Sequence, residues 1–398
     1  MNQNRFYYHK GIGDRIIEYM FGLNLSKENI MEFYMKQSHG REALKDVGRA
    51  ISTKTTIPIL TGIFIKTSKE GVTFIASNSN IIIERHIPKE DVDVVEFGSI
   101  VVPSHHFIEV VKKLPDLIHI LTKDLKMYIS SDDIQTSLNG MDPEDYPKLP
   151  NIQEEASFQF LGRDLHHLIH STVFAVSKQE SSPALTGVNL SIKDGVLQAA
   201  ATNSHRLALS KLQIQDSLMG DLIVPGNTLN ELDKLLSDSE EVHVVFSDAN
   251  ISFQAQRFTL YSRLIEGKFP NVSELINVSS STSLLLDRTD LMKSIDRACL
   301  FASDWQHYNV TMKVISKGRL NIYSNSSEVG NIQEAIRIEK MDGDDFQITF
   351  NGSFMMEALK TLRNDRVKLG VGGAMRPITI QGEGEQNQLH LISPVRAY

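Results

Sequence analysis

The sequence predicts an α+β protein of three tandem domains, each with two helices packed on antiparallel sheet. Two observations predict it. The first is a repeat of domain length. "RAISTKTTIPILTG" (49–62) and "FAVSKQESSPALTG" (174–187) share Ala50 with Ala175, Ser52 with Ser177, Pro58 with Pro183, Leu60 with Leu185, Thr61 with Thr186 and Gly62 with Gly187, every pair offset by 125. Asn78-Ser79 and Asn203-Ser204 keep the same register. That period is too long for a solenoid unit and matches a domain. The second observation is that one order of elements recurs three times. A third copy starts near Arg297, where Asn325-Ser326 follows Asn203-Ser204 by 122 residues.

Each copy opens with a helix: "GREALKDVGRAIS", "GRDLHHLIHSTVFAVS" and "DRTDLMKSIDRACLFAS". Leu44, Val47 and Ile51 fall near helical spacing, as do Leu165, Leu168, Ile169 and Val176, and Leu291, Ile295 and Ala298. Gly40, Asp164 and Thr289 mark starts or first turns. Alternating strands follow, such as "GIFIKTS", "GVNLSIKDG" and "NVTMKVIS". A second helix then succeeds a strand in "IVVPSHHFIEVVKKLPD", "LIVPGNTLNELDKLLSD" and "ITFNGSFMMEALKTLRND". Strand-rich hairpins with helices on one face are the expected layering. The linkers "MDPEDYPKLPNIQEE" and "EGKFPNVSELINVSS" carry Tyr146-Pro147 and Phe269-Pro270, offset by 123. The expected domains are 31–152, 153–278 and 279–398, with 1–30 as an N-terminal extension.

A net charge of −8 argues against a surface that is basic all over, but not against basic residues gathered on one face. No apolar run approaches the ~18 residues of a membrane span. The N-terminus does not have the pattern of a signal peptide. Cys299 is the sole cysteine, so no intrachain disulfide forms, which fits a reducing cytoplasm. Enzyme signatures are missing. "GVGGA" (370–374) lacks the spacing and lysine of a phosphate loop, and there is no Gly-x-Ser-x-Gly elbow. "HHLIH" puts His166 and His170 at i, i+4, a spacing that can hold a metal, but lacks the adjoining glutamate of a metalloprotease. Solvent-facing histidines are the plainer reading, so neither metal nor cofactor is expected.

"TTIPILTG", "TVFAVS", "ATNSHRLAL", "SRLIEGKFP", "GAMRP" and "LISPVRAY" occur in order along the three repeats. Together they resemble the bacterial DNA polymerase III beta subunit, the sliding-clamp family, over residues 31–398. Met31 in "MEFYMKQ" matches the usual family start. The resemblance implies a head-to-tail homodimer closing as a six-domain ring, helices lining the hole and sheets forming the wall. Duplex DNA threads such a ring without sequence preference. A clamp loader places it, and it tethers polymerases and repair proteins without doing chemistry. That implies a cytoplasmic, nucleoid-associated protein. A divergent second clamp of its host fits too. The alternative is a clamp-like accessory adaptor that does not close on DNA.

Carried over residue by residue, the resemblance implies a groove for short linear peptides at Leu185, Thr202, Ser204, His205, Arg206, Leu207, Pro270, Leu275, Leu391, Ser393, Pro394, Val395 and Arg396. Ser204 stands where many relatives have glycine, Glu274 where some have a basic residue, and Ser393 where an apolar one is common. The expected DNA contacts are Lys54, His105, Gln179, Lys112, Lys113, Arg297, Lys360 and Arg363. Lys45, Arg49, Lys293 and Arg366 extend that basic set on helices, where they would meet phosphate without reading sequence. Pro183-Ala184 replaces an aromatic pair, so base stacking there is not expected. Thr136 and Leu138 on the first-domain edge, with Leu300 and Phe301 of the third domain, are expected to form the ring joint.

Overall fold

A computed structural model describes residues 30–52, 55–150, 152, 156–214, 219–277, 279–302, 309–316 and 318–395. Seven α-helices occur among them: α1 (Gln37–Val47), α2 (Ser104–Lys113), α3 (Gly162–Thr172), α4 (Gly226–Asp233), α5 (Val272–Ile276), α6 (Arg288–Cys299) and α7 (Gly352–Thr361). All but α5 start on the residue that follows a strand. Asp287 caps α6 by accepting from Asp290 N at 2.8 Å, and Asn351 caps α7 by accepting from Phe354 N at 3.2 Å. Each helix buries an apolar stripe, in α3 Leu165, Leu168 and Ile169. Helix α1 begins three residues before Gly40. That glycine is buried, and a Cβ there would lie 2.7 Å from Met35 Cε, so it serves close packing.

The repeat is visible atom by atom. Thr61 Oγ1 donates to Pro58 O at 2.7 Å, and Thr186 Oγ1 to Pro183 O at 2.7 Å. Asn78 Oδ1 accepts from the backbone of Asn80 and Ile81, and Asn203 Oδ1 from that of His205 and Arg206. In the third copy this turn belongs to Ser326 Oγ, which accepts from Glu328 N and Val329 N. The structural counterpart of Asn203 is therefore Ser326, one residue beyond the Asn325 match.

By contacts the chain gathers into two compact units, residues up to 152 with 252–262, and 153–251 with 263–398, the second unit holding repeats two and three. In the first unit, one antiparallel sheet runs Val92–Glu96, Met31–Lys36, Leu117–Lys123, Lys126–Ser131, Ile134–Asn139. The last of these is an edge. A second sheet places residues 258–262 on Ile81–Pro88, then Gly71–Ser77, Gly62–Ser68 and Ser99–Pro103. Arg85 is buried there, bonding Asp46 Oδ2 at 2.9 Å, Glu42 Oε1 at 3.0 Å and Arg257 O at 2.8 Å.

In the second unit, repeats two and three share one nine-stranded sheet, joined where Arg206–Gln213 pairs antiparallel with Gln388–Ile392. A four-stranded sheet of repeat three runs Gly330–Arg337, Arg319–Ser326, Asn309–Ser316, Gln347–Asn351. Its end strand Gly330–Arg337 is also an edge. Its opposite end meets the chain terminus, through a Phe350–Pro394 bridge and Val395 N donating to Thr349 O at 2.8 Å.

Candidate partner groove and nucleic-acid face

The strand Arg206–Gln213 decides the site. Successive side chains on a strand point to opposite faces. Leu207 and Leu209 go to one face and pack with Ala200, Ile223, Phe269, Val272 and Leu391. Leu185, Ala184, Ile265, Ile276 and Leu389 are half-buried against that cluster. Helix α5 supplies Leu275 at its rim, 42% exposed, and Pro270 is exposed beside it. The terminal segment closes the other side: Ser393 N donates to His205 O at 2.9 Å, and Ser393, Pro394 and Val395 remain partly exposed. The result is an apolar cluster under a partly polar, partly exposed rim, where the peptide groove is expected.

The floor and rim differ from expectation in three places. Leu207 is only 4% exposed, so it belongs to the floor, and the surface a ligand could touch lies on Leu185, Leu275, Pro270 and Pro394. Thr202 is buried, and its Oγ1 donates to Arg206 O at 2.6 Å, which shapes the turn rather than the wall. Arg206 needs the largest correction. It was expected to orient a peptide, but it lies on the opposite face from Leu207 and is 8% exposed. Its guanidinium donates to Glu357 Oε2 on α7 and to Phe174 O, 4.3 Å from the Phe354 ring centroid and 5.2 Å from that of Phe174. It clips repeat two to α7. Ser204 has φ of 72°, which explains a glycine preference at that position. His205 and Glu274 are exposed, the latter bonded to the α5 cap Asn271 at 2.9 Å. Arg396 lies outside the described residues.

The sequence reading missed Phe269 and Val272, which build the floor, and the polar group beneath Arg206. In that group Gln388 Nε2 donates to Thr361 Oγ1 at 2.8 Å and lies 2.9 Å from His390 Nε2. Burial, helped by the Arg206 charge, pushes the His390 imidazole down to about 3, so it is neutral. The aromatic-proline repeat was the available signal for Phe269. Its counterpart Tyr146 is likewise buried, in a cluster with Ile59, Leu60, Ile75 and Val101.

The helix-borne cations fall into two groups. Arg297 is held by Glu334 through bonds of 2.9 and 2.6 Å, which hold that carboxyl below its usual range. Lys112 pairs with Glu109 at 2.9 Å, and Lys113 approaches it at 3.9 Å. All three cations stand beside carboxylates in the fold. Lys360, Arg363, Lys45 and Lys293 are exposed without an ion pair among the described residues, and His105 and Gln179 are exposed. Arg366 pairs with Glu339 at 2.8 Å. Lys54 lies outside the described residues. The second copy departs from the other two, because α3 carries three histidines beside Arg163 and α4 carries no basic residue. His166 Nδ1 is 2.8 Å from Asp233 Oδ1, and no group of three metal-ligating side chains forms among the described residues.

At the expected joint, Ile134–Asn139 has Thr136 and Leu138 half-buried on its free edge. Leu300 follows α6 and is 73% exposed, with Phe301 half-buried next to it. The Arg297–Glu334 pair ties this end of α6 to the edge strand Gly330–Arg337.

Three family descriptions match along the chain: the DNA polymerase III beta subunit N-terminal domain over 31–150, the central domain over 161–271 and the C-terminal domain over 274–396. A beta sliding clamp of Bacillus subtilis is 38% identical over 379 residues, covering 92% of this chain and all (100%) of the relative. One from Staphylococcus aureus is 36% identical over 378 residues, covering 93% and 100%. The solved DNA polymerase sliding clamp of Bacillus subtilis superposes with a TM-score of 0.89 at 37% identity, over 92% of this chain and 100% of that one. A Pseudomonas aeruginosa clamp bound to griselimycin shares the fold, with a TM-score of 0.88 at 22% identity over 92% and 100%.

Proposed function

The chain belongs to the DNA polymerase III beta subunit family, the sliding clamps, which are processivity factors and not enzymes, and on that premise we propose how its own surfaces do the work. Two copies join head to tail, the free edge Ile134–Asn139 of one protomer pairing with the edge Gly330–Arg337 of its partner. Leu300 and Phe301 plug the joint against Thr136 and Leu138. The observation that carries this reading is the pair of open edges, one in the first repeat and one in the third, with a 73% exposed leucine beside the second. Unpaired edges of that kind invite strand addition, and a heterologous contact that closes makes a ring.

The ring encircles duplex DNA in the cytoplasm and holds it without sequence preference, through Lys45, Lys293, Lys360 and His105 on helices, Arg363 just after α7 and Gln179 on a loop. A loader opens it. Polymerases and repair proteins dock short peptides in the groove of Leu185, Leu275, Pro270, Pro394 and Val395, over the Leu207 and Leu391 floor. No helix of the described residues is long and apolar enough to cross a membrane. Sedimentation equilibrium tests the joint: a mass of two chains supports the ring, whereas a monomer throughout the low micromolar range favours the open adaptor.

A further inference from the structure

The helix face of repeat two differs in charge from the other two. On α3, α4 and the residue after α4, Arg163 and Lys234 stand against Asp164, Glu231 and Asp233. Both cations are already paired, Arg163 at 3.8 Å from Asp164 and Lys234 at 2.7 Å from Glu231. Opposite its buried stripe, α3 carries Arg163, His166, His167 and His170, spaced i, i+3, i+4, i+7 on one face. The rings of His166 and His170 stack at 6.0 Å. His170 is exposed, and His166 and His167 are partly so.

We propose that His166, His167 and His170 form the phosphate-contacting surface of the second repeat, so that this part of the ring grips DNA more tightly as pH falls. The inference rests on the reading that the helices face the encircled duplex. Neutral imidazoles offer phosphate one N–H each, while protonated ones add a full charge within the physiological range of histidine titration. The charged groups on the elements packed against α3 set how each responds. On α4 and just after it these are Glu231, Asp233 and Lys234; on the neighbouring strand, Arg206, already spent on Glu357; on and after α7, Glu357, Lys360 and Arg363; on a turn, Glu385. Asp233 Oδ1 lies 2.8 Å from His166 Nδ1. Burial, then Arg363, pushes His167 down, so an approaching phosphate is needed to charge it. His170 faces solvent and is the most accessible of the three to phosphate.

The test is binding of the dimer to a labelled linear duplex, by fluorescence anisotropy, at about pH 8 and about pH 6. Salt is varied at each pH. Each phosphate newly neutralised steepens the plot of log K against log salt by about 0.9. Wild type should steepen by about 1 to 2 on acidification, and His166→Gln/His167→Gln/His170→Gln by less than half of that. His170→Lys should bind at pH 8 as wild type binds at lower pH. His170→Gln alone, at an exposed position, covers the case in which the triple variant misfolds, and should lose part of the steepening. Equal steepening in wild type and in both glutamine variants overturns the proposal, as does no steepening in wild type. Retention on closed circular DNA, measured alongside, separates the two claims. A ring retained on circles yet indifferent to pH refutes the histidine surface alone, while a ring not retained refutes the clamp reading beneath it.

Discussion

Leu275→Ala and Arg206→Met should part peptide binding from stability. Leu275 sits on the groove rim, 42% exposed, so less than half of its side chain is left for a ligand to cover. Burying a whole leucine contributes about 1.5–3 kcal/mol, so the open part contributes about 0.6–1.3 kcal/mol, or roughly a three- to ninefold loss of affinity in Leu275→Ala. Stability should hardly change, because the lost atoms were largely solvated. Arg206 sits one sheet face away. Methionine keeps an apolar stem between Phe174 and Phe354 but loses the bonds to Glu357 and the Phe174 carbonyl. Glu357 is left 42% exposed on its side chain and solvated, so the cost is about 1–3 kcal/mol, read as a lower melting temperature. The assay is fluorescence polarisation with a labelled peptide carrying a Gln and Leu/Phe anchors, beside thermal melts of the same samples. If Arg206→Met weakens binding tenfold with an unchanged melt while Leu275→Ala binds normally, the assignment of the two faces is wrong.

Leu300→Ala with Phe301→Ala should shift the protein toward monomer with unchanged circular dichroism, and a double variant still fully dimeric at low micromolar concentration would count against the joint. His390 is neutral in the fold, with its pKa depressed to about 3, while the unfolded chain binds a proton below about pH 6.5. Its contribution is therefore intact above that value and lost as pH falls toward about 3, by about 2 kcal/mol at about pH 5. His390→Leu should flatten the dependence of urea midpoint on pH over that window, and an unchanged slope would refute the burial account. Ser204→Gly relieves a left-handed backbone at φ 72° and should raise stability by about 0.5 kcal/mol, seen as a higher melting temperature, and a lower one would refute strain there.

The repeated helices and the Asn-Ser repeat were legible in sequence because each rests on local pattern, whereas the aromatic-proline pair marked Phe269 without showing that it is buried in the floor. Pairing between distant strands was not legible. Nothing local says that Arg206–Gln213 will pair with Gln388–Ile392, or that this pairing merges repeats two and three into one unit. The alternation in "HRLAL" did separate Arg206 from Leu207, yet the family likeness drew both into one groove. Arg297 was legible as a helix-borne cation, but Glu334, 37 residues away on the edge strand Gly330–Arg337, was not legible as its partner. Gly40, expected at a helix start or first turn, is the fourth residue of α1, and its packing against Met35 was the part not legible.

Retention on DNA tests the central claim most directly. Purified dimer is loaded by a clamp loader onto nicked circular DNA, washed in high salt and followed by gel filtration before and after the circle is linearised. Contacts through lysine, arginine and histidine weaken steeply with salt, whereas a closed ring is held by topology. The account predicts that protein stays with the circle through the wash and is lost once the DNA has ends. Equal loss from intact and linearised circles would contradict it.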